Sequence, residues 1–148
     1  MFRGRYEHTV DGKGRTSLPA RFRDVLGGDL RLVITTGLEP CLRAYPLHEW
    51  QEFESRLAEK SSFDPDVAML RRICVSGAVD CELDKHGRLL LPAHLRTHAG
   101  IEREVLWAGM GKHVELWAAD RFSALCTDAL TDEQKRADMA RRLSELGL

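Results

Sequence analysis

The chain has 148 residues, of which 43% are apolar and 30% charged, with a formal net charge of −1 at neutral pH. No apolar run approaches the roughly 18 residues of a membrane-spanning helix, and the N-terminus MFRGRYEHTV lacks the apolar centre and cleavage site of a secretory leader, so a soluble cytoplasmic protein is expected. The charge is uneven: residues 1–23 carry a net +4 and the remainder −5, which argues against a protein basic everywhere and for a localised anionic partner.

In chain order, residues 5–10 are predicted to form a strand. Asp11-Gly-Lys-Gly14 then reads as a tight turn, since Asp caps turns and Gly accepts positive φ. Residues 15–18 read as the returning strand. Pro19 fits the first turn of a short helix, where its missing N–H costs nothing, and Gly27–Gly28 supply the stop. Two strands follow, at about 30–35 and 41–45. Pro46 opens a longer helix to about residue 60, bearing an apolar stripe of Trp50, Phe53 and Leu57. That stripe either packs on the chain's own sheet or serves subunit contacts.

Asp64 and Pro65 supply the cap and first residue of a further helix, so residues 49–76 are expected to be a helical linker. Strands at 79–83 and 88–91 bracket a second turn, Asp84-Lys-His-Gly87. Pro92 opens another short helix that Gly100 closes, and strands follow at about 104–108 and 113–117. Ala118 begins a counterpart of the Pro46 helix. TDEQ (131–134) is a capping box for a final charged helix. The four cysteines (Cys41, Cys74, Cys81, Cys126) form no CxxC pair and are expected as core thiols.

These elements occur twice. DGKGRTSLPARFR (11–23) and DKHGRLLLPAHLR (84–96) align at an offset of 73, pairing Asp11 with Asp84, Gly14 with Gly87, Arg15 with Arg88 and Arg23 with Arg96. The pattern continues through LVIT and VLWA, then at an offset of 72 through CLRAY and HVELW. Two copies are too few for a solenoid and imply an intramolecular pseudo-dimer. Four short strands in one copy cannot close a core, so the copies are expected to interlock into a small α+β barrel. The two turns would then emerge side by side, related by a pseudo-two-fold axis. The repeats are taken as 5–48 and 77–120, with 121–148 a C-terminal helical extension.

At these residues the sequence resembles the MraZ family, bacterial proteins with two tandem SpoVT-AbrB units. The resemblance runs from Phe2 to about Phe122 and includes both Asp-x-x-x-Arg motifs, Asp11–Arg15 and Asp84–Arg88. It implies an AbrB-type swapped-hairpin β-barrel and assembly into homo-oligomeric rings. It also implies sequence-specific binding to short repeated elements of double-stranded DNA, in the promoter of the division and cell-wall gene cluster. Members are described as transcriptional regulators, usually repressing their own operon, which would make this chain nucleoid-associated. Two departures stand out. His86 and His94 replace Lys13 and Arg21 in the second copy, and His98 replaces Val25, so the second turn is expected to be the weaker DNA contact.

The chemistry of the turns fits that expectation. Arg presents a planar fork able to bond a phosphate, or the O6/N7 edge of guanine. Asp11 and Asp84 would repel phosphate, so their expected role is positioning: accepting backbone N–H groups within the turn, or holding the guanidinium from behind. Arg15 and Arg88 are the expected contacts, with Gly14 and Gly87 shaping the turns. Lys13, Lys85, His86, Arg3 and Arg5 are expected to add phosphate contacts. Arg21, Arg23 and Arg96 lie on the short helices, where a solvated face is as good a reading as DNA. The bland alternative for the turns is a surface ion pair that stiffens a hairpin.

No GxxxxGK[ST], GxSxG or HExxH motif is present, so no enzyme, cofactor or small-molecule substrate is expected. His94 and His98 have the spacing of a metal pair but no third ligand nearby, and no metal is expected. A reading of another class is a protein-inhibiting module acting through the amphipathic segment TDEQKRADMARRLSELGL.

Overall fold

The computed structural model describes every residue from Met1 to Leu148 and mixes helices with strands. Residues Met1–Ala118 form one compact unit and Ala119–Leu148 a second. In the first repeat β1 (Arg5–Thr9), β2 (Arg15–Ser17), α1 (Ala20–Leu26), β3 (Arg31–Thr36) and β4 (Leu42–Pro46) precede α2 (Leu47–Ala58). Then come α3 (Pro65–Leu70) and, continuous with it, a π-helical turn over Arg71–Val75. The second repeat follows as β5 (Val79–Glu82), β6 (Arg88–Leu90), α4 (Ala93–Ala99), β7 (Glu104–Gly109) and β8 (Val114–Ala118). The second unit consists of α5 (Ala119–Thr131) and α6 (Glu133–Glu145).

The repeats interleave. One sheet has the strand order β1-β7-β8-β4-β3-β5, and β2 pairs with β6 in a separate two-stranded ribbon. Exchanging each strand for its counterpart in the other repeat turns the six-strand order into its own reverse, the signature of a two-fold relationship. β2 therefore does not pair back onto β1, as a simple hairpin would require. It pairs antiparallel with its own counterpart, and β1 pairs with β7 of the other repeat.

One contiguous core joins both sheets: Leu18, Phe22, Leu91 and Leu95 from the turn-and-helix segments meet Ile34, Leu42, Val105 and Trp107. Phe22 is met edge-on by Phe2 and Tyr6, with ring centroids 5.6 and 5.2 Å away.

Four local expectations shift by a residue, and Pro46, which ends β4 as the N-cap of α2, is one of them. Pro19 and Pro92 precede their helices as N-caps, with ψ of 139° and 149°, because a proline first in line leaves its own carbonyl to accept the helix's opening N–H groups. Ala118 ends β8, and α5 begins at Ala119. The cap of α6 is Asp132 rather than Thr131: its carboxylate accepts from the Lys135 N–H at 2.9 Å, while the Thr131 hydroxyl donates to the Thr127 carbonyl. Asp64 caps α3, accepting from the Asp66 and Val67 N–H groups.

On the outer face of β4 and β8 a polar cluster sits on the two-fold. Arg43 and Glu115 are direct cross-strand partners, with Nε and Oε1 3.8 Å apart. Glu115 is only 7% exposed and accepts from the Trp117 indole N–H at 2.9 Å. Burial pushes the Glu115 carboxyl up, but His113, Trp117 and Arg43 together outweigh it and hold the group below its ordinary range. Beside this cluster the stripe of α2 packs on the chain's own sheet. Trp50 and Leu57 are buried, and the rings of Tyr45, Trp50 and Phe53 lie within 5.3–6.2 Å of one another. Cys41 and Cys74 are buried free thiols, and burial pushes Cys41 up to about 12; Cys81 and Cys126 are half-buried and also free.

Candidate nucleic-acid interface

The β2–β6 ribbon has three rungs: Arg15 opposite Leu90, Thr16 opposite Leu89, and Ser17 opposite Arg88. The middle rung lies on the two-fold, because Thr16 and Leu89 are themselves counterparts. Side chains alternate across a pleated strand. Thr16 and Leu89, each 2% exposed, therefore face the core, and Arg15, Ser17, Arg88 and Leu90 share the outer face. The two arginines are diagonal neighbours, about 7–8 Å apart by the spacing of such pairs. The turns adjoin opposite ends of the ribbon rather than each other. Leu18 donates to the Gly87 carbonyl at 3.0 Å, and Leu91 donates to the Gly14 carbonyl at 2.8 Å.

Within each turn one carboxylate organises the loop. Asp11 Oδ1 accepts from the backbone N–H groups of Lys13 and Arg15, both at 2.9 Å. Its Oδ2 accepts from the Arg15 side-chain Nε at 2.8 Å. Asp84 repeats the arrangement with His86 N–H (2.8 Å), Arg88 N–H (2.9 Å) and Arg88 Nε (3.0 Å). Each Asp thus accepts backbone N–H groups and holds the guanidinium as well. In both turns Nε carries the ion pair. The Arg15 backbone N–H is the main reason the Asp11 carboxyl lies at about 2, and the Arg88 backbone N–H likewise lowers Asp84.

The closing arginines have a role that spacing along the chain did not reveal. Arg23 donates from Nη1 to the Leu18 carbonyl at 2.6 Å, and Arg96 donates from Nε to the Leu91 carbonyl at 3.0 Å. Each guanidinium then lies against the turn glycine of the other repeat. A Cβ on Gly87 would sit 2.6 Å from Arg23 Nη1, and one on Gly14 would sit 3.3 Å from Arg96 Cζ. Both glycines also have positive φ, +83° at Gly14 and +73° at Gly87. The recurrence of Gly and Arg at matching positions of the two repeats was the available signal. What it marks is a reciprocal brace between them.

Lys13, Lys85 and His86 are exposed on the turns beside the ribbon. Arg3 and Arg5 are exposed at the other end of β1, and at about 3.3 Å per residue some 20 Å of extended chain separates Arg5 from Asp11. The structure thus gathers Arg15, Arg88, Lys13, Lys85 and His86 at one ribbon and sets Arg3 and Arg5 apart. Arg21 is exposed on α1, and His94 and His98 are exposed on α4, where His98 Nε2 lies 3.1 Å from the Glu39 carbonyl.

A profile described as "MraZ protein, putative antitoxin-like" matches the chain twice, over residues 1–73 and 74–144. The chain belongs to the MraZ family. Relatives named transcriptional regulator MraZ include one from Thermoanaerobacter pseudethanolicus, 45% identical over 120 residues, covering 81% of this chain and 82% of that protein. Another, from Moorella thermoacetica, is 42% identical over 137 residues and 93% of both chains. A third, from Desulfitobacterium hafniense, is 41% identical across the full length of both. No helix is long and apolar enough to cross a membrane. The two profile matches meet between Ile73 and Cys74, inside the π-helical turn that follows α3. In this MraZ-family chain the carbonyls of those two residues accept hydroxyls from Thr36 and Thr35, which ties the junction to β3 of the first repeat.

Proposed function

We propose that the chain is a sequence-specific DNA-binding transcriptional regulator that represses its own operon by binding short repeated elements in the promoter of a division and cell-wall gene cluster. The observation that carries this reading is the β2–β6 ribbon, with two arginines on one outer face, each aimed by an aspartate. A two-stranded antiparallel ribbon fits the B-DNA major groove, and an Arg fork suits the O6/N7 edge of guanine. The relatives' names support a regulator of transcription, and cytoplasmic, nucleoid-associated placement accompanies it.

Arg15 and Arg88 are the base contacts in this reading. Lys13, Lys85 and His86 meet the flanking phosphates, while Arg3 and Arg5 meet DNA that runs on past the ribbon. Asp11, Asp84, Gly14 and Gly87 position the arginines. The interleaved strands are read as a swapped-hairpin AbrB-type barrel, with repeats at 5–48 and 77–120 joined by the helical segment 49–76 and extended by residues 121–148. One ribbon offers few contacts, so subunits gather in a ring; linked contacts can raise affinity by roughly 10²–10⁴.

The test is a gel shift on the protein's own promoter DNA. Arg15→Ala abolishes retention while leaving the oligomer mass unchanged, and Arg88→Ala weakens it less, because the second repeat has His86 and His94 where the first has Lys13 and Arg21. Unchanged affinity in Arg15→Ala removes Arg15 from the site.

A further inference from the structure

Three of the four residues on the outer face of the ribbon are polar, and the fourth is Leu90, which is 57% exposed between two arginines. The two-fold relates Arg15 to Arg88 and Ser17 to Leu90. The ribbon's outer face is therefore symmetric in its guanidinium groups and asymmetric at one position in each half. Ser17 is half-buried, and its carbonyl is engaged by His8 Nδ1 at 2.7 Å. Leu90 projects an isobutyl group directly opposite Arg15 on the neighbouring strand.

Resting on the DNA reading above, we propose that Leu90 contacts the methyl group of a thymine, so that the ribbon reads the two halves of its site unequally. Among the base edges of the major groove, only thymine presents an apolar group, its C5-methyl, whereas a serine hydroxyl suits donors and acceptors alike. A leucine laid against polar base edges strips water from their donors and acceptors without replacing those hydrogen bonds, whereas against that methyl two apolar groups leave water together favourably. Cross-strand partners lie about 5 Å apart. The thymine is thus within one or two base steps of the pair that Arg15 reads, at about 3.4 Å per step. The Ser17 half carries no such demand. A pseudo-symmetric protein consequently has a polarity on DNA, with the Arg15–Leu90 edge over the thymine-bearing half.

The test uses the full-length chain and its own promoter DNA, prepared with thymine or with deoxyuridine throughout, which deletes the methyl and leaves the pairing edge intact. Wild-type protein is expected to bind the uracil DNA at least about fourfold more weakly, the worth of one buried methyl. Leu90→Ser is expected to bind both DNAs equally, near the wild-type affinity for uracil DNA, and Leu90→Val to retain a preference for thymine. Single deoxyuridine substitutions are then expected to matter in only one half of each element. Equal wild-type affinity for the two DNAs overturns the proposal while leaving the DNA reading intact. So does a thymine preference that survives unchanged in Leu90→Ser, or a Leu90→Ser oligomer of altered mass with no change in methyl dependence. Failure of wild-type protein to retain the thymine DNA at all overturns the DNA reading and this proposal together.

Discussion

Arg23 of the first repeat lies against Gly87 of the second, and Arg96 of the second lies against Gly14 of the first. Each arginine spends a hydrogen bond on its own repeat, to Leu18 or Leu91, and its flat guanidinium on the other repeat's turn. The ribbon's geometry is therefore set jointly: each turn is shaped by its own aspartate and braced by the helix that follows its counterpart.

Gly87→Ala is expected to destabilise the protein by about 1–3 kcal/mol, combining a side chain at positive φ with displacement of Arg23. In an Arg23→Ala background the same substitution is expected to cost less, since the displaced group is gone. Urea denaturation of the two single variants and the double variant measures the coupling. Strict additivity would show that the brace carries no energy.

Asp11→Ala separates positioning from charge. Removing a carboxylate beside DNA removes repulsion, so a purely electrostatic role predicts tighter binding. Loss of the three bonds that shape the turn and aim Arg15 predicts the opposite, a drop of about tenfold for a contact worth some 1.4 kcal/mol. Titration by fluorescence anisotropy at constant salt gives the sign directly.

The Asp11 carboxyl lies at about 2 against an ordinary 3.8. A depressed value means that the fold favours the ionised form. Its contribution is complete above the ordinary value and disappears as pH falls from there through about 2. The Asp11 side-chain carbon shift in NMR is expected to stay flat from pH 8 to 5 and to move only toward pH 2. A midpoint near 4 would show that the turn does not hold its carboxylate.

Salt dependence distinguishes phosphate contacts from base contacts. Lys13→Ala is expected to lower the slope of log affinity against log salt by about one, the signature of a lost phosphate contact. It should leave discrimination between promoter and unrelated DNA unchanged. An unaltered slope would place Lys13 off the backbone.

Glu115→Ala removes the carboxylate that accepts from the Trp117 indole N–H at 2.9 Å, and with it one of the partners of Arg43. The expected destabilisation is about 2–4 kcal/mol, toward the lower end because Arg43 keeps Glu39 at 3.0 Å. The midpoint of thermal unfolding reports it, and a shift within error would mean that water replaces the pair.

The turns, the short helices and the order of strands were legible because their signals are local. Asp, Gly and Pro act on their own backbone, and the repeat doubled each signal. The expected sharing of a core between repeats follows from the same reasoning. Pairings across the repeats were not legible. Nothing in RTS or RLL says that β2 prefers β6 to β1, because that choice is made by Leu89 and the core it fills. Arg43 and Glu115 read as outward residues of two strands, and only their meeting on the two-fold buries Glu115. At TDEQ two good capping residues stand side by side, and local rules do not choose between Thr131 and Asp132. Leu90 was hidden by its neighbours: in a run of three leucines, strand alternation turns the middle one outward.

The palindromic strand order also bears on synthesis. β1 leaves the ribosome ahead of β2 to β8, yet its partner β7 belongs to the second repeat, and β2 must likewise wait for β6. The first repeat therefore spends much of translation with exposed edges and an open core, in the interval when nascent chains are most prone to aggregate or to be captured by chaperones. Two separate polypeptides would have to find each other to complete the same structure, whereas the fused chain needs only to finish being made.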